Sequence, residues 1–379
     1  MKCRTEKLKN ELRIAMLGHK RIPSREGGIE VVVETLSERM VQKGFHVTCF
    51  NRSGHHVAGS RFDSKKEKCY KGICIRYVPT VDLKGLAAFT SAFFSMVMAA
   101  FGHYDVVHIH GQGPAWLCWL PGLLGKKTVV TIHGLDWQRS KWGRVASWVI
   151  KKGEKNAVKY ADEIIVLSDG ARRYFYDCYG RQTALIPNGI DPPVHRRPDI
   201  IRRQWQLEKD GYVLFLGRIV PEKGIHYLIE AFKGITGKKL VISGGASDTD
   251  AYMAKLKASA GDNVVFTGFV QGEVLDELYS NAYIYCLPSD LEGMPLSLLE
   301  AMSYGNCCLV SSIEECAAVV ADKGVVFEKG NVSSLREKLD YLLHNEAVVK
   351  AYKEVSSDYI LSQYNWDQVV KETVVLYRK

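Results

Sequence analysis

Along this chain, short apolar runs bounded by Gly, Pro or polar turns alternate with longer stretches in which apolar residues recur every three or four positions. The runs at 12–17, 46–50, 104–110, 127–132, 161–167 and 184–187 read as buried strands, as do those at 212–216, 239–243, 264–270, 283–287 and 309–312. After the first run ends at Gly18, a loop leads to Gly27-Gly28. Then Ile29, Val32, Val33, Leu36, Met40 and Val41 follow at helical spacing up to Gly44. Strand, Gly-rich turn, helix and strand make a βαβ unit, and its repetition predicts doubly wound α/β layers. The G-x-G-x-x-G dinucleotide fingerprint is absent. Ser168 is placed to cap the helix after the 161–167 strand. The cluster Asn188-Gly189 with Pro192-Pro193 is the strongest turn signal in the chain. We expect a boundary there, with domains at 1–189 and 190–363 and a last helix over 366–377.

Length and composition agree with this division. A chain of 379 residues, 46% hydrophobic and 25% charged, has material for two full cores. The opening residues are charged and lack the apolar centre of a secretory signal, which leads us to expect a cytoplasmic protein. Ten cysteines without a C-x-x-C pair point to reduced thiols rather than a disulfide framework or a metal site. The net charge is +9, and about 30 basic against about 17 acidic residues lie before Pro192, so the remainder is net negative. Arg61, Lys65, Lys66, Lys68 and Lys71 form one basic run. No nucleic-acid motif accompanies it, so the expectation is an anionic membrane surface, a phosphorylated lipid acceptor or a solvated loop. Residues 85–102 contain no charge. Their Ala and Ser content and their place between two strands favour a buried or interdomain helix over an interfacial or spanning one.

The richest segment is 286–305, CLPSDLEGMPLSLLEAMSYG. A strand ends at Pro288, a loop carries Glu292 and Gly293, and Leu296, Leu298, Leu299 and Met302 continue at helical spacing. Pro295 suits the first turn of that helix. A loop feeding a helix start offers unpaired N–H groups to an anion, and Glu292 and Glu300 flank it with carboxylates. The E-x7-E spacing, set in E-G-M-P-L before an apolar helix, resembles the signature of retaining glycosyltransferases of family 4. Further segments resemble that family in the same order: Gly27-Gly28, the His133-Gly134 loop, Asn188 to Asp191, Gly217-Arg218 with Lys223-Gly224, and Tyr364-Asn365-Trp366.

The resemblance implies a GT-B architecture, two Rossmann-like domains facing a cleft, with the last helix (about 364–379) packed back on the first domain. It implies that Arg218 and Lys223 hold the donor diphosphate, that Glu300 binds ribose, and that Glu292 and His133 meet the sugar. His133, Arg218, Lys223 and Glu292 are therefore the catalytic candidates. Gly28, Gly244, Phe269, Val270, Gly293, Met294, Pro295 and Leu296 complete the expected donor site. His108, His110 and Asp136 are secondary candidates, and Trp137, Arg139, Lys141, Trp142 and Arg144 are candidate acceptor contacts. Asp248-Thr-Asp250 is formally a D-x-D metal motif, but its loop position before a helix reads as capping. The expected activity is sugar transfer with retention from a nucleotide diphosphate sugar, UDP favoured, to a saccharide or lipid-linked acceptor. No metal or other cofactor and no nucleic acid is expected. The implied setting is bacterial polysaccharide or glycolipid assembly, cytoplasmic or peripheral at the inner membrane face. A GT-B epimerase and a non-catalytic nucleotide-sugar binder are the alternatives.

Overall fold

The computed structural model describes residues 12–25, 27–54, 66–81, 83, 86–138, 143–245 and 249–379. Of the sequence expectations, residues 1–11, Arg61, Lys65, Arg139, Lys141, Trp142 and Asp248 lie outside the described residues. The chain forms two compact units, Met1–Asn188 with Trp366–Lys379, and Gly189–Asn365.

The first unit holds an eight-stranded sheet. Its strands are β1 (Arg13–Leu17), β2 (His46–Arg52), β3 (Cys69–Tyr70), β4 (Ile73–Val78), β5 (Val106–His110), β6 (Lys127–Ile132), β7 (Glu163–Val166) and β8 (Ala184–Leu185). They run in the order β3-β4-β2-β1-β5-β6-β7-β8. Every pairing is parallel except the short β3–β4 hairpin. The central strands are apolar at successive positions because helices cover both faces; Ile14, Ala15, Met16 and Leu17 are all fully buried. Ser168 caps the helix Asp169–Tyr179 through the amide of Ala171. The closing helix Trp366–Arg378 packs on the helix Gly28–Gln42, and Arg39 pairs with Asp367 at 3.2 Å.

The second unit is a six-stranded, all-parallel sheet: β9 (Tyr212–Leu216), β10 (Lys239–Ser243), β11 (Val264–Gly268), β12 (Ile284–Leu287), β13 (Cys307–Ser311) and β14 (Val325–Phe327). The order β11-β10-β9-β12-β13-β14 reverses direction between β9 and β12. Ligands of such sheets bind outside the carboxyl ends of the strands at that switch point. Where the chain leaves and re-enters this unit, Ile190 and Asn365 form a parallel bridge, and the Ile190 amide donates to the Tyr364 carbonyl at 2.9 Å.

Four expectations need correction. The helix Leu86–Phe101 is buried on one face only: Ser91, Ala92, Ser95, Met96, Ala99 and Ala100 face inward, while Phe89, Phe93, Phe94 and Phe101 are exposed. Small residues let the helix lie close to its neighbours, which leaves the bulky ones outside. Among the described residues, no helix is long and apolar enough to cross a membrane. Asp250 does not cap its helix; Thr249 holds the cap position but turns its hydroxyl to the Ile219 carbonyl instead of the helix amides, and Asp250 lies in the first turn. Pro295 stands one residue outside the helix Leu296–Ser303, with extended backbone at the cap position. Strands β3, β4 and β14 were not expected; β3 and β14 have only two and three residues, and β4 carries Arg76 within an otherwise apolar run.

Candidate functional site

Most of the expected residues gather in the second unit, at the carboxyl ends of β9, β10, β11 and β12. Gly217 and Arg218 follow β9, Gly244 follows β10, Phe269 and Val270 follow β11, and the Glu292 loop follows β12. Two glycines let these turns meet. Gly244 has φ +145°, and a Cβ there would stand 1.8 Å from the Gly217 carbonyl oxygen. Gly224, at φ +66°, brings the turn carrying Lys223 so close to the end of β12 that a Cβ would lie 2.0 Å from the Pro288 oxygen. The amide of Asp290 then donates to the carbonyl of Glu222 at 2.8 Å, locking this turn to the Glu292 loop.

Across that junction, Lys223 Nζ lies 2.5 Å from Glu292 Oε1, with side chains only 11% and 9% exposed. The Ser289 hydroxyl donates to the same oxygen at 2.6 Å. One cation and one carboxylate are thus held at the switch point, where desolvation makes each charge matter more than in water. Glu300 sits half-buried along the helix Leu296–Ser303, and the Tyr279 hydroxyl lies 3.0 Å from its Oε2. Tyr285, buried in β12, donates to the Ser297 hydroxyl at 2.8 Å and steadies the first turn. Gly293 and Met294 are half-buried in the loop, and the amides of Leu298 and Leu299 turn to the Pro295 carbonyl, so those of Leu296 and Ser297 precede the helix's own acceptors.

His133 and Gly28 belong to the first unit. Gly28 opens its helix behind Gly27, and Glu30 in the first turn folds back on this start. Glu30 Oε1 accepts from the Lys20 amide at 2.8 Å. Burial opposes its ionisation, but Lys20 and the backbone donors outweigh burial and hold the carboxyl below its ordinary range. The chain therefore supplies its own anion to this helix terminus. Sequence reasoning missed Glu30; the signal was an acidic residue two positions after Gly28.

His133 follows β6 and joins a set of imidazoles. His110 Nδ1 lies 3.0 Å from His133 Nε2. His108 stacks on His110 with ring centroids 4.2 Å apart, and is itself held by Thr131 Oγ1 at 2.7 Å and the Tyr377 hydroxyl at 2.6 Å. Burial lowers the pKa of His108 to about 3 and that of His110 well below its ordinary value. His19, after β1, falls to about 4 for the same reason and bonds Asn51 Oδ1 at 3.1 Å. The loop beyond His133 is fixed from below. The Asp136 amide donates to Gln112 Oε1 at 2.8 Å, Gln112 donates to buried Glu154, and Glu154 also accepts from Tyr174 at 2.7 Å and Tyr179 at 2.6 Å. Gln112 and Glu154 carried no sequence signal, since 42 residues separate them.

Two Rossmann-like units of this kind have the GT-B architecture, and the similarities that follow support a glycosyltransferase of that fold. Residues 26–193 match the family model described as Glycosyltransferase Family 4, and residues 198–358 match that described as Glycosyl transferases group 1. An uncharacterised glycosyltransferase of Methanocaldococcus jannaschii is 25% identical, covering 97% of this chain and 98% of its own. A D-inositol 3-phosphate glycosyltransferase of Acidothermus cellulolyticus is 25% identical over 93% of this chain and 85% of its own. Among solved structures, Anabaena HepE in complex with UDP and glucose superposes with a TM-score of 0.78 at 15% identity, covering 96% of this chain and 99% of its own. The sucrose-phosphate synthase of Thermosynechococcus elongatus gives 0.76 at 20% identity, covering 97% and 98%.

Proposed function

We propose that the protein transfers a sugar from a nucleoside diphosphate sugar to an acceptor hydroxyl, with retention at the anomeric carbon. The buried Lys223–Glu292 pair at the switch point carries this reading. Lys223, with Arg218 from the same segment after β9, meets the diphosphate as negative charge develops on the leaving group. The amides from Gly293 to Leu296 add to that anion site. Glu300 takes the ribose hydroxyls, Phe269 and Val270 flank the base near Gly244, and Glu292 and His133 hold the sugar. The acceptor oxygen attacks the anomeric carbon on the face that the diphosphate leaves, the bond to the diphosphate oxygen breaks, and that oxygen takes the acceptor's proton. The two cations supply the charge a metal supplies elsewhere, so the reaction runs without one. UDP is the favoured carrier, since HepE structures hold UDP and UDP-glucose.

Thermal shifts with the UDP, GDP, ADP, CDP and dTDP sugars, each with and without Mg²⁺, test the donor site. One base class should raise the melting temperature equally in both conditions, and NMR of fresh product should show the donor's anomeric configuration. An inverted product refutes the mechanism. Conversion of donor without acceptor points to an epimerase, and binding without turnover on any acceptor to a non-catalytic binder.

The acceptor is a saccharide or a lipid-linked one, met in the cytoplasm at the inner face of a membrane during bacterial polysaccharide or glycolipid assembly. The exposed aromatics Phe89, Phe93, Phe94 and Phe101 support this. So does the helix Arg144–Tyr160, which exposes Val145, Trp148, Lys152, Lys155 and Lys159. Sedimentation with phosphatidylglycerol vesicles should carry the protein down, and Phe93→Ser with Phe94→Ser should weaken this at least several-fold. No recovery with either neutral or anionic vesicles removes the membrane from the proposal, and equal recovery with both removes the anionic headgroup from it.

A further inference from the structure

We propose that His110 is a positioning residue that fixes the tautomer of His133, keeping His133 Nε2 unprotonated so that its imidazole carries its proton on Nδ1. The inference rests on the proposed function only where it gives His133 a place against the donor sugar. The tautomer itself follows from the hydrogen bonds.

Each neutral imidazole has one N–H and one acceptor nitrogen. His110 Nδ1 and His133 Nε2 are 3.0 Å apart, so one donates and the other accepts. The other nitrogen of His110, Nε2, is buried and has no hydrogen-bond partner among the described residues. If His110 carried its proton there, a buried N–H would stand unpaired and its full desolvation penalty would be unrecovered. With the proton on Nδ1 instead, the donor is satisfied by His133 and only a lone pair is left without a partner. That arrangement makes His133 Nε2 the acceptor.

The surroundings hold this choice in place. His108 lies flat against His110 and is anchored at both ring nitrogens by hydroxyls, so the plane of His110 is set. The titratable groups acting on His110 are His108, His133 and His19, and burial keeps His110 from accepting a second proton. With Nε2 taken up by His110 and the ring proton on Nδ1, His133 has no free lone pair to act as a general base. Against a sugar it orients a hydroxyl oxygen, and the acceptor's proton goes elsewhere, to the leaving phosphate.

The test is a long-range proton–nitrogen correlation on protein labelled with ¹⁵N at histidine, at pH 7.5. His133 should show a protonated Nδ1 and a bare Nε2, with or without UDP-glucose present. His110→Ala should move His133 toward the other tautomer and lower kcat at least tenfold with little change in KM. His110→Asn, whose amide N–H can reach the same position, should restore both. A protonated Nε2 in the unmodified protein overturns the inference, as does a His133 pattern unchanged by His110→Ala. If the alanine variant does not fold, the unmodified protein and the asparagine variant decide. Absence of any sugar transfer refutes the proposed function but leaves the tautomer readout standing, so the two failures are distinct.

Discussion

Lys223→Ala lowers kcat/KM by roughly 10²–10³, the range typical for losing one fixed electrostatic partner of a leaving group. The same change is expected to destabilise the fold. Glu292 keeps its buried position and its bond from Ser289 but loses its cation at 2.5 Å. Breaking a buried pair by removing one partner costs about 3–5 kcal/mol, because the remaining charge is left uncompensated. The double variant Lys223→Met with Glu292→Gln removes both charges and should recover much of that stability without recovering activity. Urea unfolding beside steady-state kinetics on the three proteins separates the two effects. Turnover in Lys223→Ala within tenfold of the unmodified enzyme would remove Lys223 from the site. A double variant no more stable than the single one would show that the pair is not the reason for the loss.

The second large effect is acid destabilisation of the first unit. His19, His108 and His110 are 2%, 1% and 1% exposed. Burial holds all three neutral in the folded state, with pKa values of about 4 for His19 and about 3 for His108, against 6.5 when unfolded. Unfolding therefore takes up protons below pH 6.5. Stability is full above that pH and falls as pH drops toward 4, by about 1.4 kcal/mol per pH unit for each histidine and about 4 for the three together. Glu30 acts in a lower window: its depressed pKa adds stability above about 4.5, which is lost below it. Denaturation at fixed ionic strength from pH 8 to 5 measures the slope, and His108→Gln should remove about one third of it. A flat profile across that range would contradict the burial of these rings.

Much of the grouping of candidate residues at the strand ends of the second unit was legible in the chain because its parts are contiguous. Glu292, Gly293, Pro295 and Glu300 lie in one loop and helix, and Arg218, Lys223 and Gly224 in another. What could not be read was which of them touch. The pairing of Lys223 with Glu292 depends on β12 lying directly beside β9 in the sheet. Strand order is a property of the whole layer, and no local pattern encodes it. The one-sided burial of Leu86–Phe101 has a similar cause. Hydropathy showed an uncharged segment, but packing density decided that Ala and Ser face inward and Phe outward.

By itself the sequence determined the alternation of strands and helices, the break near Asn188 and the loop at Glu292 that leads into a helix start. Periodicity, turn residues and helix starts are all set by neighbours within a few positions. Only the tertiary structure decided that Tyr377 reaches His108 across 269 residues and that His108 in turn orders His110 and His133. It alone decided that Glu154 supports the loop after His133 through Gln112. Such bonds form between groups that are buried together and must find partners there, and which groups those are is settled by the packing of distant segments.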